Sequence, residues 1–123
     1  ERENNRNKLI YTITDAGREY LKAWLKAPAE RDELRYETLL KLFFGNESGE
    51  EQAIVHIEAF REKTETELAY LLKAEQALKT CLDEDETHKY YLLTVEFGIK
   101  TCRAYLEWCG EAKKTFENQE KKQ

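Results

Sequence analysis

The residue types able to do polar chemistry in this chain are few: two histidines, His56 and His88, three cysteines, Cys81, Cys102 and Cys109, and a single serine, Ser48. A metal centre needs such ligands to converge at short, regular spacing. The sequence has no cysteines two residues apart and no histidine pair at helical spacing, so no metal and no cofactor are expected. Cys81 and His88 flank the acidic turn Asp83-Glu84-Asp85-Glu86 and could approach across it. Cys102 and Cys109 lie one heptad apart on one helix, too far apart for a disulfide and in places where a small apolar side chain packs well. Ser48 is better placed to head a helix than to attack a substrate, and no glycine-rich phosphate loop or nucleophile elbow is present. No catalytic residue is expected, and the chain reads as a non-enzyme.

The remaining chemical resource is aromatic: Trp24, Phe43, Phe44, Tyr90, Tyr91, Tyr105 and Trp108. Flat ligands bind by stacking between such rings, with a few polar groups fixing their orientation, which makes Trp24, Phe43, Tyr105 and Trp108 the candidate ligand set. Rings at helical spacing also pack against neighbouring helices, and that use competes with ligand binding.

The elements that must position these side chains are helical. The chain has 123 residues, 41% hydrophobic and 37% charged, with one proline and a net charge of −5, which suits one acidic domain with a core and few breakers. Lys8 to Thr14 is β-branched and aromatic and predicts a single strand, with Leu9, Tyr11 and Ile13 on one face. Thr14 can cap a first helix, Asp15 to Lys26, with Ala16, Tyr20, Leu21, Trp24 and Leu25 on one side and Pro28 closing it. A second helix is expected over Ala29 to Phe44, largely buried through Leu34, Leu39, Leu40, Leu42, Phe43 and Phe44. Ser48-Gly-Glu-Glu51 has the form of a capping box and opens a long third helix to about Leu82.

In that helix Ile54, Ile57, Arg61, Thr64, Leu68, Leu71, Glu75, Leu78 and Leu82 recur at alternating spacings of three and four. The fourth helix repeats the pattern with Leu92, Val95, Ile99, Cys102, Leu106, Cys109 and Phe116, so the two should form an antiparallel, coiled-coil-like hairpin. Beside that row stands a second, Tyr91, Gly98, Tyr105, Trp108 and Ala112, which makes the apolar arc too wide for one neighbour. A second copy is the economical cover. The expected homodimer interface is Tyr91, Leu92, Val95, Gly98, Ile99, Cys102, Tyr105, Leu106 and Trp108, with Gly98 allowing close approach. The tail Glu117 to Gln123 is polar and is expected to fray. The chain carries no methionine, and its lone strand has no pairing partner downstream, which reads as a fragment of a longer protein. No membrane span or signal peptide is present, and three thiols in odd number point to a reduced, cytoplasmic setting.

These residues carry a likeness. Tyr11-Thr-Ile-Thr14-Asp15-Ala-Gly17-Arg-Glu-Tyr-Leu21-Lys-Ala-Trp24-Leu25 resembles the second wing strand and following helix of PadR-type transcriptional regulators. Arg35-Tyr-Glu-Thr-Leu-Leu-Lys-Leu-Phe-Phe-Gly45 resembles their next segment, and the last helix, with Gly98 and Glu107-Trp108, is similar to that of the branch with a virulence-activator-like C-terminal domain. The resemblance implies an end of a winged helix over residues 1–27 and a helical dimerisation domain over residues 28–123. It implies DNA binding only through a helix-turn-helix preceding Glu1, wing contacts to DNA from Arg2, Arg6 and Lys8 in the intact protein, and a small aromatic effector in some members. The competing class is a helical interaction module, or an aromatic small-molecule sensor, with no DNA role.

Overall fold

The computed structural model describes residues 11–121, and among them every regular element is helical. The helices are α1 (Asp15–Lys26), α2 (Glu37–Phe43), α3 (Glu50–Thr80) and α4 (His88–Lys121), with short 3-10 turns at Gly45–Glu47 and Leu82–Glu84. By compactness the chain divides between Arg35 and Tyr36 into two units.

The first unit holds α1. Its start follows from a cap: the backbone N–H of Gly17 donates to the Thr14 hydroxyl at 3.0 Å, and Asp15 in the first turn and Lys26 in the last complement the helix dipole. Its apolar side chains Tyr20, Leu21, Trp24 and Leu25 are all exposed. The strand expected over Lys8 to Thr14 does not form where it can be seen: residues 11–14 are irregular, and residues 8–10 lie outside the described residues. A strand without a ladder partner leaves its backbone groups unpaired, and no described segment offers one. Arg2, Arg6 and Lys8 also lie outside the described residues.

The second unit holds α2, α3 and α4. α2 is shorter than the predicted Ala29 to Phe44, because Glu30-Arg31-Asp32-Glu33-Leu34-Arg35 offers one apolar residue and therefore no face to bury; Leu34 is exposed. Nor is α2 the buried helix expected, since Leu39, Leu40, Phe43 and Phe44 are all exposed. The capping box at Ser48 is replaced by a different start. Gly49 takes φ +98°, a conformation glycine adopts without strain, and becomes the cap residue itself, while the Ser48 hydroxyl donates back to the Gly45 carbonyl at 3.4 Å.

α3 and α4 have 31 and 34 residues, about 46 and 51 Å at 1.5 Å per residue, and lie side by side in opposite senses. His88 meets Cys81 at the turn, Gly98 meets Leu71, Cys109 meets Ile57, and Lys113 pairs with Glu58 toward the far end. The predicted inward rows lie at this contact. From Ile54 to Leu78 and from Leu92 to Phe116 every row member is buried or half-buried, and Leu82, at the end of the row, is 38% exposed. The tightest point is Ile57 against Cys109, 1% and 0% exposed, where the thiol makes a long 3.9 Å contact to the Ile57 carbonyl. Thr64, the one buried polar residue among those described, satisfies its hydroxyl by donating to the Phe60 carbonyl at 2.8 Å. Arg61 interrupts the row without being stranded, because Glu58 at 2.7 Å and Glu65 at 2.8 Å hold its guanidinium at the rim. α4 continues past Glu117 to Lys121, so the expected fraying of the tail is not seen over that stretch.

Gly98 permits a close approach, and the structure shows which one. A Cβ there would stand 2.9 Å from the Leu71 side chain, so the space it frees is filled by α3 of the same chain.

Candidate functional site

The site with the most organised side chains is an aromatic cluster where α2, α3 and α4 meet. Tyr36 caps α2, Phe60 projects from α3, and Tyr105 and Trp108 stand three apart on α4. Their rings interlock edge to face: Tyr36 on Phe60 at 6.1 Å and on Tyr105 at 5.7 Å, and Phe60 on Trp108 at 6.2 Å. Such offset contacts align positive ring edges with negative ring faces. The Tyr36 and Tyr105 hydroxyls hydrogen-bond to each other, so neither phenol is left without a partner.

That bond has an electrostatic consequence. Sharing the proton with Tyr36, and then partial burial, push the Tyr105 phenol from its ordinary 10.0 up to about 12. Because the folded state holds this proton more tightly than the unfolded chain, the stabilisation is complete below pH 10 and is lost as pH rises toward 12. A tyrosinate absorbance titration should therefore show one late-ionising tyrosine, and Tyr36→Phe should move it back toward 10; an unchanged titration would contradict the hydroxyl pair.

The four rings and Leu39 line an open cavity of about 190 Å³. That falls below the roughly 300 Å³ at which small-molecule pockets begin. On the other side of Trp108 runs a groove of about 450 Å³ between Leu42, Ala53, Ile57, Ala112 and Phe116. Both open to solvent, and Trp108, 36% exposed, is their common wall. The arrangement is a dented apolar surface, suited to receiving another apolar surface.

Of the four candidate ligand residues, the structure brings Tyr105 and Trp108 together; Phe43 packs on Phe44 at 5.0 Å and is 82% exposed, and Trp24 belongs to the first unit. Sequence reasoning missed Tyr36 and Phe60. Phe60 stands beside Arg61, so the polar interruption in the inward row marks the place where the apolar face of α3 turns toward α2. Of the expected interface residues, Leu92, Val95, Ile99, Cys102 and Leu106 are wholly or partly taken up inside the chain, and Tyr91 and Trp108 are the ones left most open.

The thiol and imidazole pair at the turn is structural. His88 Nδ1 donates to the Cys81 carbonyl at 2.8 Å, closing the C-terminal end of α3, while the Cys81 thiol donates to the Ala77 carbonyl at 3.2 Å. Burial pushes the Cys102 and Cys109 thiols up, away from the reactive thiolate. The described residues hold no group of three or more His, Cys, Asp or Glu able to bind a metal, and no helix among them is long and apolar enough to cross a membrane.

Comparison with known proteins decides the family. Residues 34–117 match the virulence activator alpha C-terminal family model. The chain belongs to that family. A crystal structure of the PadR-like transcriptional regulator BC1756 from Bacillus cereus superposes with a TM-score of 0.71 at 27% identity, over 90% of this chain. The chain spans 62% of the length of that regulator. No curated protein matches it. This is a PadR-type C-terminal region. In the virulence activator alpha C-terminal region the family match covers α2, α3 and nearly all of α4, the elements that build the aromatic cluster.

Proposed function

We propose that this region is the dimerisation part of a PadR-like regulator, holding two DNA-binding domains at the spacing of a two-fold operator and catalysing nothing. The observation that carries the reading is the outward apolar surface of α2 and α4: Phe43, Phe44, Tyr90, Tyr91, Leu93 and Phe97 are each more than half exposed. Water-facing apolar side chains in that number are costly for a monomer, and burying them against a second copy recovers about 25 cal/mol per Å². The α3–α4 pair acts as an antiparallel, coiled-coil-like strut that carries this surface. Three free thiols, two of them buried, suit a reducing cytoplasm.

DNA contact would come from a domain outside this chain. A ligand would modulate it only by preferring one arrangement of the two copies, and by no more than that preference. The groove of about 450 Å³ beside Trp108 is the place for a small aromatic effector.

The reading is tested by fusing the chain to an unrelated DNA-binding domain that is monomeric and recognises a single half-site. Dimerisation makes the second half-site contact intramolecular, so the fusion should bind a paired site about a hundredfold more tightly than the domain alone. Equal affinity for paired and single sites would contradict it.

A further inference from the structure

A third cavity, of about 460 Å³ and open to solvent, lies between α2 and α3 and shares no residue with the two beside Trp108. Leu40 and Phe44, four apart on α2, and Gln52 and His56, four apart on α3, line it together with Lys41 and Ser48. Leu40 and Phe44 are 60% and 58% exposed and give the cavity an apolar side. The other four side chains are polar. None of them is a carboxylate, although the chain as a whole has a net charge of −5. The groove beside Trp108 differs in this respect, because Glu50 lines it.

The protein holds these polar groups loosely. Gln52 Nε2 stands 3.5 Å from His56 Nε2, and the Ser48 hydroxyl donates to the Gly45 carbonyl at 3.4 Å, both at the long limit of a hydrogen bond. Lys41 directs its ammonium to Glu37 at 3.1 Å, which uses one of its three donors, and Glu37 is not part of the lining. An ionised acceptor makes shorter and stronger bonds to such donors than the contacts they now have. One lysine suits one negative charge. On the apolar side Leu40 is a branched aliphatic group, and the Phe44 ring is already packed edge to face on Phe43 at 5.0 Å. That side offers area along which a flexible chain can lie, without a second ring face to clasp a flat ligand.

We propose that this cavity binds an amphipathic monocarboxylate of the medium-chain fatty acid class. Its carboxylate accepts from Lys41, Ser48 and Gln52, and its chain lies over Leu40 and Phe44 beside the His56 ring. The site takes Phe44 from the surface assigned above to a second copy and leaves the α4 residues of that surface to it.

The two histidines provide the readout, since His56 lines the cavity and His88 stands at the far end of α3. Octanoate titrated into the full chain should shift the His56 ring resonances saturably at millimolar concentration or below and leave those of His88 in place. Lys41→Glu should weaken binding about tenfold or more, the loss of a hydrogen bond to a charged group. Leu40→Asn should weaken it severalfold by removing tail contact, and Glu37→Gln, which frees Lys41, should strengthen it about twofold. All three positions are exposed, so helicity by circular dichroism should not change. Octanol and octylamine, which carry the same chain without the carboxylate, should bind at least tenfold more weakly. A His56 signal that does not move with octanoate overturns the site. Octylamine or octanol binding as well as octanoate, or a Lys41→Glu variant that binds like the parent, overturns the carboxylate.

Discussion

Trp108→Glu is expected to raise the dimer dissociation constant by roughly 30-fold to 1,000-fold, the 2 to 4 kcal/mol range of a central aromatic anchor. Trp108 is the residue on which the local geometry converges. It packs edge to face on Phe60 at 6.2 Å, walls both the 190 Å³ cavity and the 450 Å³ groove, and still leaves 36% of its surface to water. A charge there would have to be desolvated at the contact, with Glu107 adjacent in sequence adding like charge. Trp108→Phe should keep most of the affinity, because it retains a flat apolar ring. Sedimentation at several concentrations reads both variants. A glutamate variant that dimerises like the parent would remove Trp108 from the interface.

Ile57→Ala is expected to cost about 2 to 5 kcal/mol in urea unfolding, which is a large part of the stability of a small domain. The reason is how little is buried. Among the described residues Ala53, Ile57, Ile99, Cys102 and Cys109 are the buried hydrophobic ones, and Ile57 and Cys109 are the largest that are fully enclosed. Removing most of Ile57 opens a cavity beneath Cys109 that two closely packed antiparallel helices cannot collapse to fill. Val55→Ala, on the exposed side of the same helix, should change stability by less than about 0.5 kcal/mol. A loss below 1 kcal/mol at Ile57 would mean that the core lies elsewhere. If folding and dimerisation are coupled, both midpoints should rise with protein concentration.

The parts of the fold legible in sequence are those set by periodicity. The inward rows of α3 and α4 could be written down residue by residue, because an apolar 4-3 repeat sustained over several turns keeps to one side of a helix. α1 was equally legible, since Thr14, Asp15, Lys26 and Pro28 fix both ends by local chemistry. What failed depended on context. The Lys8 to Thr14 strand needed a partner that no described segment supplies, and the 29–36 stretch lacked a face to bury. Ser48 does not cap α3: its hydroxyl bonds back to the Gly45 carbonyl, and Gly49 at φ +98° takes the cap position.

The candidate site was half legible. Tyr105 and Trp108 stood out on α4, but Tyr36 and Phe60 come from other elements, and only the packing of α2 on α3 brings the four rings together. Gly98 shows the same limit. Its missing side chain signals a close approach, and the sequence does not say whether the neighbour is α3 or a second copy.

The central claim is that the outward face of α4 is an interface between two copies. The most direct measurement is the mass of the chain in solution by light scattering across a dilution series, starting from 14.6 kDa per copy. The account predicts twice that mass, persisting to micromolar concentration or below and halving on further dilution. A single-copy mass at every concentration would contradict it and would assign the face to another protein.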